Sequence, residues 1–378
     1  MRSRIPDNPC SYNFARAFVS CCLCLLFTGK ALAENPLPDD FVPPADNKYD
    51  WIQLTSGEWL KGELKVLYNY KLEFDSDELD LLTFDLEDVY RIRTHSYFGV
   101  RIDGEATGAG PGLYYGYLSM TGNKVIVTAG DQSVEFQRSQ LVSIAQSGKK
   151  ERDLWSGDIS LGTNVKGGNT QSIDFTVTAT VKRRVASSRI VLDYIGNYTE
   201  ADYTETSNNH RLSGYRDTFL SKKVFWRQIF AEYYRDPFKN LDNQSSLATS
   251  LGYHLIYTSK TEWDISAGLG ARYTKYVSVE PGENSDITSP ALGAGTKYDT
   301  ELTKAIDLLV DYNFQIVDKD AGRYTHHFVT AVSTDLIGDV DLDISFIWDR
   351  IQDPQVDSDN VVPDKNDYQL VVGLGLEF

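Results

Sequence analysis

The last eleven residues of the chain, Tyr368 to Phe378, constrain its fold more than any other stretch. Tyr368, Leu370, Val372, Leu374, Leu376 and Phe378 alternate with Gln369, Val371, Gly373, Gly375 and Glu377. One face is apolar and the other small or polar. Alternation of period two over this length is a β-strand lying between two different solvents. As the edge of a soluble sheet, an apolar strand tipped by an aromatic residue would invite aggregation. In a closed barrel in lipid it would pair with the first strand, and no edge would remain. The competing reading is a surface strand of a secreted β-sandwich.

The rest of the chain narrows the choice. Its 378 residues suffice for two domains. After the first thirty-odd residues no apolar run is long enough for a membrane helix. A membrane-spanning form must therefore be a barrel. The formal charge of −17 argues against nucleic acid as a partner, because phosphates are bound by Lys and Arg.

Residues 1–33 read as a signal peptide. Arg2, Arg4 and Arg16 make a basic start, Ala17 to Phe27 is the apolar stretch, and Ala31-Leu32-Ala33 is a small-x-small cleavage site. All four cysteines (Cys10, Cys21, Cys22, Cys24) fall in this segment. A lipoprotein cysteine at 21 or 24 is disfavoured because the apolar core continues past both. The mature chain would have no thiol or disulfide chemistry. It would lose a net three positive charges, going from −17 to about −20. Residues 34–47 are Pro-rich and polar, without periodicity, and read as a linker.

Residues 48–148 look like one β module written twice. Leu82-Thr83-Phe84 with Val89-Tyr90-Arg91-Ile92 recurs as Val134-Glu135-Phe136 with Leu141-Val142-Ser143-Ile144, at an offset of 52. Alternation with glycine at the turns predicts four or five short strands per copy. The strand order is similar to small SH3-like or Sm-like barrels. Such a module would bind a periplasmic protein or glycan partner, or be a structural pair of small barrels without a ligand. Gly104 to Gly112 is glycine-rich but lacks the Lys-Ser/Thr of a phosphate loop, and no helix follows. Ser147 to Arg152 reads as a charged hinge.

Residues 153–378 read as about twelve amphipathic strands. Trp263, Ile265, Ala267, Leu269 and Tyr273 oppose Glu262, Asp264, Ser266 and Arg272. Leu247, Leu251, Tyr253, Leu255 and Tyr257 oppose Ser246, Ser250, Gly252 and His254. Residues 190–198 follow the pattern less strictly, and 211–220 and 224–234 are ambiguous in phase. Short connections, such as Ala186–Ser188 and Ser221–Lys223, alternate with longer polar ones, such as Thr199–His210, Arg235–Ser245 and Ile351–Asn366. That alternation, with aromatic residues near strand ends, is expected of an outer-membrane barrel with short periplasmic turns and long external loops. An even strand count places residues 34–150 in the periplasm.

Several local sequences resemble a known family. They are Trp155-Ser156-Gly157-Asp158-Ile159-Ser160-Leu161-Gly162, Gly167-Gly168-Asn169-Thr170, Arg235-Asp236-Pro237-Phe238 and the ending Gly373-Leu374-Gly375-Leu376-Glu377-Phe378. Residues 154–378 are similar to the salt-induced outer-membrane proteins, a domain family of unknown function. The resemblance implies a Gram-negative outer-membrane barrel in contact with lipid and lipopolysaccharide. Tyr368, Val372, Leu374, Leu376 and Phe378 resemble the sorting signal read by the barrel-assembly machinery.

No enzyme constellation stands out. None of His95, His210, His254, His326 and His327 sits in a motif with Ser or Asp at a catalytic spacing. His326 and His327 are adjacent on a strand and point to opposite faces, so they would not share a metal. We expect no catalytic, cofactor or metal site. Many carboxylates face inward, against the fewer bases Lys182, Arg211, Arg272 and Lys297. The expectation is a narrow porin-like channel whose cation preference is set by Asp158, Asp264, Asp307, Asp311 and Asp343. The first alternative is a non-conducting anchor presenting the periplasmic module. A lipid-modifying enzyme using His254 or His327 is a distant second.

Overall fold

The computed structural model describes residues 48–377, apart from 105–109, 149, 167–171 and 339. The expected signal peptide, its cysteines, the 34–47 linker, the Gly167–Thr170 motif and Phe378 lie outside the described residues. The described residues are strands joined by turns, with five short 3-10 segments and no α-helix.

The module has ten strands. The first copy is β1 (Asp50–Leu54), β2 (Trp59–Tyr68), β3 (Lys71–Ser76), β4 (Asp80–Asp85) and β5 (Val89–Arg93). The second is β6 (Phe98–Ile102), β7 (Gly112–Thr121), β8 (Lys124–Ala129), β9 (Gln132–Gln137) and β10 (Leu141–Gln146). Each copy has a 3-10 turn before its last strand, at Leu86–Asp88 and Arg138–Gln140. The duplication seen in the sequence is thus a duplication of structure.

The copies are not two separate small barrels. Each last strand pairs with its own first strand (β5 with β1, β10 with β6) and with the second strand of the other copy (β5 with β7, β10 with β2). With β1–β2 and β6–β7 pairing, these six strands close into one barrel. The β3–β4 and β8–β9 hairpins extend from β2 and β7. One core serves both copies: Ile52, Leu64 and Phe74 pack with Phe98, Val125 and Phe136, all at most 2% exposed. Neither half could bury that face alone, which is why they interlock.

The twelve barrel strands are β11 (Trp155–Lys166), β12 (Ser172–Val185), β13 (Ser188–Ala201), β14 (Thr204–Phe219), β15 (Val224–Asp236) and β16 (Leu241–Tyr257), then β17 (Thr261–Tyr276), β18 (Asp286–Thr303), β19 (Ile306–Ile316), β20 (Tyr324–Ile337), β21 (Val340–Ile351) and β22 (Asn366–Glu377). All neighbours are antiparallel, and β22 closes on β11 through pairs such as Leu374 with Leu161 and Leu376 with Ile159. No edge remains, as the alternation at the C-terminus predicts.

The outer surface is apolar. Leu161, Leu247, Leu251, Leu269, Leu292 and Leu370 are each 57% exposed or more. On β17 the outward face runs from Trp263 to Tyr273, ten residues on. At roughly 3.3 Å per residue and a tilt of about 40°, that face makes a band about 25 Å tall, the height of a bilayer's apolar slab. Trp226 and Trp263 satisfy their indole N–H groups on Thr249 and Thr296 of neighbouring strands.

Three departures from the sequence reading have one physical cause each. A bulge at Gln228, between the pairs Arg216–Ile229 and Asp217–Arg227, shifts β15 by one residue. A bulge swaps the two faces, so both Trp226 and Ile229 point outward, three positions apart. A second bulge, at Leu255, turns Tyr257 from the expected lipid face to the lumen. And Thr199–His210 is not a long loop. β13 and β14 continue to a two-residue turn at Asp202–Tyr203, both at positive φ, and β16 likewise starts early, at Leu241. These strand ends are polar on both faces, which hides them from a period-two reading but suits strands projecting beyond lipid.

Candidate functional site

The site begins with the β2–β3 hairpin. Its two-residue turn is Asn69-Tyr70, at φ 51° and 58°. Two positive-φ residues make the turn that matches strand twist. Asn tolerates this region; a tyrosine there is strained by roughly 1–2 kcal/mol. What holds Tyr70 in place is the barrel. Its ring meets Tyr257 at 5.7 Å, edge to face, and its hydroxyl accepts from Lys222 Nζ at 2.9 Å.

The neighbouring residues are held as well. Asn69 donates its side-chain amide to Glu262 and its backbone N–H to the Tyr257 hydroxyl. Lys71 pairs with Glu301 at 3.0 Å. Tyr68 donates to the Val185 carbonyl and packs on Phe219 and Phe225. Burial pushes the Tyr68 phenol well up, so it stays a donor. Elsewhere Ser143 donates to the Ala186 carbonyl, Arg101 to the Leu220 carbonyl, and the Lys222 backbone N–H to Asp103. All these barrel partners lie at the short-turn end, so the module sits under that mouth with the hairpin tip inserted.

Directly behind the tip lies a buried ion network. Arg189 reaches Asp217 at 3.2 Å, Glu262 at 2.6 Å and Asp264 at 3.0 Å. Arg227 donates twice to Asp217, at 2.8 and 3.1 Å. Asp217 has no exposed surface and is satisfied from both sides. His254 bonds Asp264 through Nδ1, and its ring packs at a tilt against Phe225 at 5.0 Å and Tyr257 at 4.6 Å. Phe225 fits because it lies over Gly252, where a Cβ would collide with the ring.

Higher in the barrel, side chains cross the lumen. Arg211 on β14 reaches Asp349 on β21 and Glu232 on β15, both at 2.8 Å. His327 joins Asp349 at 2.9 Å. Gln369 on β22 donates to Asn197 on β13. The lumen is therefore narrow and polar. His326 turns the other way, among the rings of Tyr312, Phe314 and Trp348.

The five carboxylates expected to set charge preference do not form one ring. Asp264 is in the buried network at the mouth. It stands in register with Lys297, which in turn stands in register with Asp311. Asp311 accepts from Asn313 at 2.7 Å. Asp307 is exposed near the short turns, opposite Glu301. Asp343 faces Ser333 and Gly373. Asp158 faces Thr180, with Lys182, Asp193, Asp343 and Lys297 as its charged surroundings. Arg189 and Arg227, absent from the expected inward bases, are the ones that neutralise the mouth. The bulge at Gln228 hid the second, and inward-facing Val191 in β13 hid the phase of the first.

Tyr368, Val372, Leu374 and Leu376 all point outward, each at least 55% exposed, as one apolar ridge beside the barrel seam.

Two further chemistries can be weighed here. His254, Glu262 and Asp264 offer ligand atoms within 4.8 Å of one another. Arg189 already takes both carboxylates, so the network holds a fixed guanidinium where a metal would go. His254 is also oriented by a carboxylate, as a general base is. Among the described residues no serine or threonine hydroxyl bonds to it.

The family model described as "Protein of unknown function, DUF481" matches residues 159–378. A comparison with the curated proteins finds no match. Solved structures that are similar include a NanC porin, 7% identical, with 59% of this chain and 100% of that one covered at a TM-score of 0.35. Another is the outer-membrane channel DcaP of Acinetobacter baumannii, 9% identical, with 77% and 97% covered at a TM-score of 0.27.

Proposed function

The chain belongs to the DUF481 family of proteins of unknown function, matched over its barrel, and we propose that it is a non-enzymatic outer-membrane channel of a Gram-negative bacterium, narrow and stoppered from the periplasm by its own duplicated module. The observation that carries this reading is the insertion of Asn69 and Tyr70 into the short-turn mouth, where they bond Glu262, Tyr257 and Lys222. A closed barrel with an apolar outer band needs lipid, and a polar lumen crossed by hydrogen-bonded side chains needs water. Short turns on the module side, and the longer loops 277–285, 317–323 and 352–365 on the other, support a periplasmic module.

The lumen keeps a cation preference below its crossing residues. Asp158, Asp307, Asp311 and Asp343 carry it, with Lys182 and Lys297 as the opposing charges. Asp264 contributes little, because Arg189 neutralises it. A role under salt or envelope stress belongs to the same proposal, and a deletion strain that grows normally at high salt would count against it.

The experiment is solute flux through proteoliposomes. The wild-type chain should be nearly impermeant. Asn69→Gly with Tyr70→Gly keeps a turn sequence suited to positive φ but removes the stopper side chains, and should admit small cations. Equal flux for both proteins would remove the proposal.

One observation favours the anchor reading as a second. Tyr97, Tyr115 and Tyr117 are 40–53% exposed on the module, with Tyr97 and Tyr117 in edge contact at 5.5 Å. Such a patch suits a peptide or a glycan.

A further inference from the structure

We propose that the lumen's upper half, at the long-loop end, holds a binding site for a small oxyanion, centred on Arg272. This goes beyond the stoppered-channel reading and does not need the barrel to conduct. Arg272, on β17, is only 2% exposed. Its three hydrogen-bond partners are neutral: Ser246 Oγ at 3.2 Å, Thr325 Oγ1 at 3.0 Å and Gln315 Oε1. Among the described residues it has no carboxylate at ion-pair distance. The other lumen arginines all do: Arg189 has three, Arg211 two and Arg227 one.

A buried guanidinium held only by neutral acceptors is costly unless an anion completes it. It also has more N–H donors than those three acceptors take up. Arg272 lines a small polar cavity together with Arg211, Lys239, Gln244 and His327. The carboxylates on that wall are committed elsewhere. Glu232 and Asp349 accept from Arg211, and Asp349 also from His327; Lys239 is held at 2.7 Å by Asp367, which is not part of that wall. A planar guanidinium beside amide and hydroxyl groups is the chemistry that recognises a carboxylate or a phosphate. Hydroxyl and amide partners fix the fork of Arg272 in place before any ligand arrives, so little ordering is left to be done on binding.

The test uses the full chain in detergent micelles. It is titrated with acetate and, separately, with inorganic phosphate, at ionic strength held constant with chloride, and binding is read by calorimetry. Saturable binding of acetate alone identifies a carboxylate site; binding of phosphate alone or of both identifies the wider oxyanion site. Arg272→Gln should weaken binding at least tenfold, and Arg272→Lys, which keeps the charge but not the fork, by a smaller factor. Glu232→Gln should tighten it, by removing the carboxylate nearest to serving as a counter-charge. If Arg272→Gln fails to run as a folded, heat-modifiable barrel, the Lys and Glu232 variants decide. Heat no different from chloride dilution, or binding unchanged in every folded variant, overturns the site. A double variant, Asn69→Gly with Tyr70→Gly, that binds acetate yet never conducts would sink the channel reading and leave this one standing.

Discussion

Asn69, at the tip of a module hairpin, donates its side-chain amide to Glu262, which lies inside the barrel mouth 193 residues further along the chain. Glu262 in turn holds Arg189, which holds Asp217 and Asp264. One amide thus links the module to the whole ion network, and the following predictions test that chain of contacts.

Asn69→Asp should loosen the hairpin. It replaces a donor with a carboxylate facing Glu262, and like charges at hydrogen-bond distance repel. The expected result is faster amide exchange across residues 66–74, with β17 and β18 unchanged. Unaltered exchange in the hairpin would mean the tip is not held by that bond.

Asp217→Asn should destabilise the barrel by about 3–5 kcal/mol, because it leaves two buried guanidiniums without their shared carboxylate. The denaturant midpoint for refolding into vesicles would show it. A midpoint within error of wild type would mean that water reaches Arg189 and Arg227.

Leu269→Arg should cost about 2–4 kcal/mol, since Leu269 is 64% exposed in the middle of the outward band. Leu81→Arg, on a module leucine that is 58% exposed, should change stability by no more than about 0.5 kcal/mol. Equal effects would contradict a lipid-facing barrel.

The module should have an unusual pH dependence. Asp50 is 1% exposed, and burial pushes its carboxyl up, against the pull of backbone N–H groups of Leu64, His95 and Ser96. Its folded value therefore lies above the unfolded value of about 3.9. The folded form binds the proton more tightly, so this contribution is full below about pH 3.9 and is lost as pH rises through the folded value. The denaturant midpoint followed by Trp51 and Trp59 should carry a component that falls as pH rises above about 3.9, and Asp50→Asn should remove it. Identical slopes would refute the assignment.

Much of this architecture was legible in the sequence, and the reasons are local. Period-two alternation on β17 and β22 reports the two solvents directly, and the 52-residue offset reports the duplication. What was illegible depends on pairing. Nothing in either copy says that β5 will pair with β7, or β10 with β2, because both choices bury the same residues. One extra residue at 228 or 255 reverses a strand's faces without changing its composition, which hid Arg227 and misplaced Tyr257. The contact of Asn69 with Glu262 joins elements whose sequences have no bearing on one another. Acidic residues were countable in advance; which of them would meet Arg189 was not.

The most direct test of the stoppered barrel is single-channel recording in planar bilayers under a salt gradient. The account predicts a nearly silent wild-type chain. It predicts discrete steps with a cation-selective reversal potential once Asn69 and Tyr70 are both glycine. Equal, steady conductance in both proteins, or a properly folded double variant that stays silent, would contradict it.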